Sequence, residues 1–507
     1  MLAPDYLDHA PDRLILLWQQ AEDDILRDVA RRIGKMDTLT PTANWQLWRY
    51  QQTEAVRKDV VKLLARYTGK SEAEIRRLMK EAATAALEAE DEIYYHYGKE
   101  PTPFEESTPL QNLLNAGYRQ TAGSFSNLTA TTANTVSGAF EQALDRAWLQ
   151  VSSGAFDYKT AVKRAVDGLA DSMPYVTYPS GHRDTLEVAC RRAVLTGVNQ
   201  TGAKLQEARM DEMGASFVEV TAHGGARPSH AVWQGRRYHR GGAVDYLGQH
   251  YEDFESATGY GTGAGLCGWN CRHTFFVVFP ELGSPPAWTQ ESLEALNARN
   301  IEYDSKLYTR YEISQMQRAR ERAVRKWKRR YLAEDAAGAD TTASAVKLRQ
   351  ARQSLADFTR ATGGRVDSAR TSVHWFGRSE GSKASYAARK QERFNAANTE
   401  LQQMREAGTI KAKGRLIESP SAPNEINFAS DHVLQRWAER GMGPMDAERI
   451  IRSSKVAMSQ RNGTQTCYYS ELGFVAIGQD GNVSSIGPLD EGGKKLMEVV
   501  KKHGIPH

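Results

Sequence analysis

The sequence predicts an α+β protein, mainly helical at its front and carrying a small antiparallel sheet at its end. Three observations predict it. Apolar residues recur at helical spacing from the start to about Met213. Two short β-branched and aromatic runs, Phe217–Thr221 and Thr274–Phe279, bracket a segment dense in Gly, His and Cys. Residues 426–507 read as helix, helix and then a strand meander.

In the first helix Pro11 stands near the start, and Leu14, Leu17, Trp18, Ile25 and Val29 share a face. A second helix is expected from about Trp48 to Tyr67, stopped before Gly69. A third opens on Ser71-Glu72-Ala73-Glu74, a reciprocal capping pattern, and runs through Ile75, Leu78 and Met79 toward Tyr94. Pro101 and Pro103 break it. The stretch 121–138 is rich in Ser, Thr, Ala and Asn; one reading is a helix packed closely on another protein surface. Helical periodicity returns over 140–169 and 185–213.

As a strand, Phe217–Thr221 sets Val218 and Val220 on one face and Glu219 and Thr221 on the other. Beyond Thr309 a charged helix runs to Leu332, and a second follows the break at 335–341, from about Ser344 to Thr362, giving a helical hairpin. Residues 364–425 read as a linker holding one helix, about Ala384 to Ala407. In the final module a helix starts near Asp431 and ends at Gly441, and another spans Pro444 to Ser453. Strands over 464–469, 473–477 and 482–486 follow, the last two joined by a turn at Gln479-Asp480-Gly481. The expected parts are therefore 1–213, 214–284, 285–363, 364–425 and 426–507.

Composition narrows the function classes. In 507 residues, 66 Lys and Arg nearly balance 62 Asp and Glu, so the net charge of +4 points to no partner by itself. An apolar fraction of 40% suffices for buried cores. No uncharged apolar run reaches the ~18 residues of a membrane span, and the acid-flanked N-terminal stretch is not expected to be a secretory signal. Four cysteines in such a length make no disulfide framework and suit a reducing cytosol.

The densest chemistry lies between His223 and His273. Cys267, Cys271 and His273, with His230 upstream among His223, His230 and His239, form a candidate structural zinc site. A non-metal core of hydrogen-bonded His and small buried Cys is the competing reading, and a catalytic Cys–His pair a third. A free metalloenzyme is disfavoured, because no general-base carboxylate stands at a recognisable spacing nearby.

This block resembles the phage minor capsid protein 2 family, relatives of the Mu F-like head-morphogenesis proteins. The resemblance rests on Arg227-Pro-Ser-His230, Trp233-Gln234-Gly235, Tyr260-Gly-Thr-Gly263 and Cys267-Gly-Trp-Asn-Cys-Arg-His273. Tyr311-Glu-Ile-Ser-Gln-Met-Gln-Arg318 and the basic helix after it extend the resemblance, which covers roughly residues 1–370. It implies a head-morphogenesis protein of a tailed bacteriophage, made in the host bacterial cytoplasm. Such a protein binds the portal protein during assembly and stays inside the capsid at the portal vertex beside other capsid proteins.

Two further clusters bear on partners. Arg318, Arg322, Arg325, Lys326, Lys328, Arg329 and Arg330, with Arg320, crowd around Trp327 and are candidates for salt-sensitive contact with packaged double-stranded DNA. The alternative is a solvated helix face with Glu321 pairing along the helix. Near the end, His432, Arg436 and Arg440 fall at i, i+4 and i+8 on one helix face, ahead of Tyr468-Tyr469 and the last strands. That pattern resembles small barnase/EndoU/colicin/RelE-like ribonuclease domains, the kind of cargo polymorphic toxins carry. The resemblance implies metal-independent RNA cleavage, with His432 as base or acid, Arg436 and Arg440 on phosphate, and Tyr469 or Ser485 assisting. Two functions follow: a head protein with a binding or plug-like tail domain, or the same protein carrying a ribonuclease effector delivered with the genome against host RNA.

Overall fold

A helix with an apolar stripe must bury it, and in the front of the chain the burying surface is other helices. The computed structural model describes residues 2–36, 42–172, 175–178, 181–410, 413–418, 420, 423, 426–428, 431–454 and 456–505. These fall into two compact units, Met1–Glu380 and Gly381–His507.

The first unit is built on α1 (Asp12–Gly34), α2 (Thr42–His96), α3 (Thr108–Ser152), α4 (Tyr158–Ser172) and α5 (Leu186–Met213). One core joins them: Leu14, Trp18 and Ile25 of α1 meet Leu64 and Ile75 of α2, Phe125 and Phe140 of α3, and Leu195 of α5. The expected stop at Gly69 does not occur, and α2 runs unbroken through it. A helical Gly costs only about 1 kcal/mol, and Leu64, Tyr67 and Ile75 on either side are all buried. Ser71, expected to cap a new helix, accepts the Trp18 indole N–H at 2.9 Å and donates to the Tyr67 carbonyl at 2.8 Å.

The ambiguous stretch 121–138 lies inside α3, and its flank packs on the chain's own α5. A Cβ added at Gly117 would lie 2.1 Å from Thr201 Oγ1, and one at Gly197 would lie 2.2 Å from Thr121 Oγ1. Gly and Thr four residues apart on each helix thus interlock reciprocally.

A three-stranded antiparallel sheet follows, with β1 (Phe217–Val220) between β2 (Arg237–His239) and β3 (Phe275–Val277). Val218, Val220, Phe275 and Val277 pack with Tyr94 of α2 and Met210 of α5. Glu219 is buried too, because Arg237 lies opposite it in register and donates to it at 2.8 Å. The buried Glu90 of α2 ties this sheet to the helices: it accepts the Val277 amide at 3.0 Å and the Gln206 side-chain amide at 3.1 Å.

The expected hairpin is present as α6 (Arg310–Ala336) and α7 (Thr342–Thr362). Thr309 and Glu312 close a capping box at the start of α6.

The second unit opens with α8 (Arg378–Glu406) and β4 (Arg415–Glu418), followed by α9 (Asp431–Glu439) and α10 (Pro444–Ser453). Then come β5 (Val456–Gln460), β6 (Gln465–Ser470), β7 (Gly473–Gly478), β8 (Val483–Gly487) and α11 (Glu491–Lys502). The five strands form one antiparallel meander in chain order. One sheet face, with Met458, Cys467 and Tyr469, packs on Phe394 and Leu401 of α8 and on Leu496 and Val500 of α11. The other, with Tyr468, Val475 and Ile486, packs on Trp437 of α9 and Ile450 of α10. The helix read as part of a linker is therefore a layer of this unit. Among the described residues no helix is long and apolar enough to cross a membrane.

Candidate functional site

Asn199 sits on α5, fully buried, and its amide donates to the carbonyls of both Cys271 and His273 at 3.0 Å. This pins the loop before β3 against the helix. The preceding turn is tight enough to need glycine: a Cβ at Gly265 would lie 2.0 Å from the Gly259 carbonyl oxygen. The loop delivers Cys271 and His273 to His230, which comes from the short helix Pro228–Ala231.

Cys271 Sγ lies 3.7 Å from His230 Nδ1 and 3.6 Å from His273 Nδ1, and the three candidate ligand atoms are all within 4.8 Å of one another. His230 Nε2 bonds the Ala264 carbonyl at 2.9 Å, and His273 Nε2 bonds Gln234 Oε1 at 3.0 Å. Gln234 Oε1 also takes the His223 backbone N–H at 3.1 Å. Burial, reinforced by nearby cations, holds both imidazoles neutral: His230 is pushed down to about 4 and His273 well below its ordinary value. Burial likewise raises the Cys271 thiol.

The three residues line a cavity of about 640 Å³ that Arg227, Arg272 and Arg318 also face. Cys267 is not among the atoms that lie within 4.8 Å of one another, and its Sγ lies 3.6 Å from the His273 carbonyl. His223 stacks on the His273 ring at 4.3 Å, and His239, at the end of β2, bonds the Gly242 carbonyl. Asn199 and Gln234, the residues that orient the group, were not singled out by sequence. Gln234 lies inside a recognisable motif, whereas Asn199 carries no sequence signal.

The basic helix α6 turns most of its charge inward. Arg329 is buried between Glu22, in direct contact, and Asp23 at 2.7 Å. Arg325 is buried against Glu187. Arg330 meets Asp167 at 2.5 Å, Lys326 meets Asp171 at 2.9 Å, and Lys328 donates to the Thr371 carbonyl. Burial and then the guanidiniums of Arg352 and Arg325 push Lys328 down to about 8. Arg325 and Arg329, expected on nucleic acid, are braces of the fold instead, since their charge is already neutralised in the interior. Arg322 and Lys326 are the exposed members.

Arg318 faces a different environment. Arg191, Arg272 and Arg370 gather with it around Asp8, which pairs with Arg191 at 2.5 Å and Arg272 at 3.4 Å. Burial first, then these cations, lower the Arg318 guanidinium to about 10.

In the second unit three of the five expected catalytic residues have described side chains, Arg440, Tyr469 and Ser485, and they do not converge. The side chains of His432 and Arg436 lie outside the described residues. Arg440, just past α9, donates to the Ile486 carbonyl at 2.7 Å. Tyr469 is buried in the core on the α8–α11 face, where burial raises its phenol. Ser485 pairs with Ala476 and so shares that face, opposite the one on which α9 packs. Alternation along a strand separates neighbours to opposite faces, and the sheet stands between Tyr469 and α9.

Fold and site together define a helical building block, braced by internal ion pairs around a buried His/Cys centre. The profile of the phage minor capsid protein 2 family matches residues 2–360. The chain belongs to this family and is a phage head protein, a component of the virion. No curated protein and no solved structure matches it.

Proposed function

We propose that this chain is a head-morphogenesis protein that seats at the portal vertex through its first unit and carries the second as cargo. One observation carries the reading: the family match, residues 2–360, falls wholly within the first unit, while the second has a core of its own. The antiparallel pair α2/α3 supplies a docking end. Leu47 (60% exposed), Tyr50 (65%) and Leu149 (61%) stand there uncovered beside the stacked Trp45 and Trp148. Large exposed apolar side chains clustered at one place mark interaction sites, and in a virion protein the portal is the partner we assign to them.

Contact with packaged DNA falls to the exposed Arg322 and Lys326. The separation of Tyr469 and Ser485 from α9 favours a binding or plug-like cargo over an RNA-cleaving effector. The test replaces Leu47 and Leu149 with Asp in the full chain. The double variant is expected to fold, to lose co-purification with the portal protein and to be missing from virions. A variant that is incorporated normally would refute this docking end. Full-length protein incubated with cellular RNA should show no cleavage that His432→Ala abolishes.

A further inference from the structure

Proton counting around Cys271 leaves a deficit. Gln234 Oε1 accepts a backbone N–H, so it is an oxygen acceptor, and His273 Nε2 must carry the proton it donates there. The Ala264 carbonyl can only accept, so His230 Nε2 carries its proton as well. Both Nδ1 atoms are therefore bare lone pairs, and both face Cys271 Sγ. A thiol has one proton to give, so at least one buried lone pair is left without a donor, at a cost of about 1–3 kcal/mol.

A cation removes the deficit. We propose that His230 Nδ1, Cys271 Sγ and His273 Nδ1 bind one Zn(II), with the fourth position open to the cavity and taken by an exchangeable anion. In a tetrahedral zinc site with Zn–S of ~2.3 Å and Zn–N of ~2.05 Å, sulfur and nitrogen ligands stand ~3.5 Å apart. The observed separations, 3.7 and 3.6 Å, need little adjustment. Binding displaces the Cys271 thiol proton to solvent, so the thiolate and two neutral imidazoles leave the centre with one net positive charge. Arg227, Arg272 and Arg318 line the same cavity, and among the described residues no carboxylate does. That field calls for an anion at the fourth position. The Ala264 carbonyl and Gln234 already serve as the outer partners that orient metal-bound imidazoles.

The experiment uses the full chain, reconstituted with Zn(II) or Co(II) and freed of excess metal. We expect one metal per chain and a raised melting temperature. The Co(II) form should show a tetrahedral visible spectrum with a thiolate-to-metal charge-transfer band. Cys271→Ser removes that band, whereas Cys267→Ser keeps both band and stoichiometry. Gln234→Met, which frees the His273 ring, keeps the band and weakens affinity by roughly 10- to 100-fold. Azide added to the Co(II) protein shifts the spectrum. Wild-type chain that retains no metal after reconstitution overturns the proposal without any variant. Loss of the band in Cys267→Ser overturns the ligand set, and a spectrum unmoved by azide overturns the open position.

Discussion

Buried carboxylates stripped of their guanidinium partner leave charge that water does not reach, and breaking such a group costs about 3–5 kcal/mol. Arg329 lies between Glu22 and Asp23, and Asp23 also accepts the His374 amide at 2.7 Å. Arg329→Met should therefore lower the unfolding free energy of the first unit by about 3–5 kcal/mol in a denaturant titration. Arg322→Met, at an exposed position of the same helix, should change it by less than about 0.5 kcal/mol. Equal effects would mean that the pairing is incidental. Glu90 adds a pH dependence. Burial raises its carboxyl from 4.5 to about 7, so the folded state holds a proton that the unfolded chain releases. Its contribution is fully present below about pH 4.5 and is lost as pH rises through about 7, a change on the order of 3 kcal/mol. The melting temperature should fall from about pH 5 to about pH 8, and fall less in Glu90→Gln. A variant with the wild-type slope would remove Glu90 as the cause. At this scale the sequence showed which residue types were present but not their neighbours. His230, Cys271 and His273 were legible as a group because Cys and His are few. Cys267 was indistinguishable from Cys271 by spacing; in the structure its backbone stands at φ 56° and only Cys271 Sγ lies close to both imidazoles.

Helices were legible as faces and illegible as ends. Gly69 read as a stop because spacing cannot weigh a 1 kcal/mol penalty against apolar burial on both sides of it. β4, β5 and α11 were missed for related reasons: β4 offers only Leu416 and Ile417, β5 follows directly on α10, and α11 carries its stripe in a single three-residue step from Leu496 to Val499 and Val500. The α3/α5 crossing is a stronger test of element packing. Ala normally stabilises a helix relative to Gly, yet at Gly117 its Cβ would meet Thr201 Oγ1 at 2.1 Å. Gly117→Ala should destabilise by about 1–3 kcal/mol, and adding Thr201→Ala should recover much of the loss. A stabilising Gly117→Ala would show that the helices separate freely. The same inward accounting governs α6. With only the exposed Arg322 and Lys326 left to reach phosphate, duplex DNA binding should fall with salt at a log–log slope of roughly −2, from about two phosphate contacts. A slope near that of seven contacts would require the internal ion pairs to open.

Across the whole molecule, everything that defines the head protein lies before residue 381: the family match, the Glu22–Asp23–Arg329 brace, the Glu90 tie and the His230–Cys271–His273 group. The second unit completes its own two cores around one sheet, with Phe394 and Leu401 of α8 on one face and Trp437 and Ile450 on the other. Reading α8 as linker followed from its polar composition, since a helix that buries only Ala384, Ala388, Phe394, Ala397 and Leu401 along 29 residues gives a weak stripe. A domain's stability belongs to the core it closes. A chain ending at Glu380 is therefore expected to fold, to keep the first unit's unfolding midpoint and metal stoichiometry, and to enter virions as the full chain does. The full chain should show a second cooperative transition that this truncation lacks, because two cores closed separately need not melt together. Should the truncation aggregate or be left out of particles, the first unit would depend on residues 381–507 to fold or to dock, and cargo would be the wrong description of them.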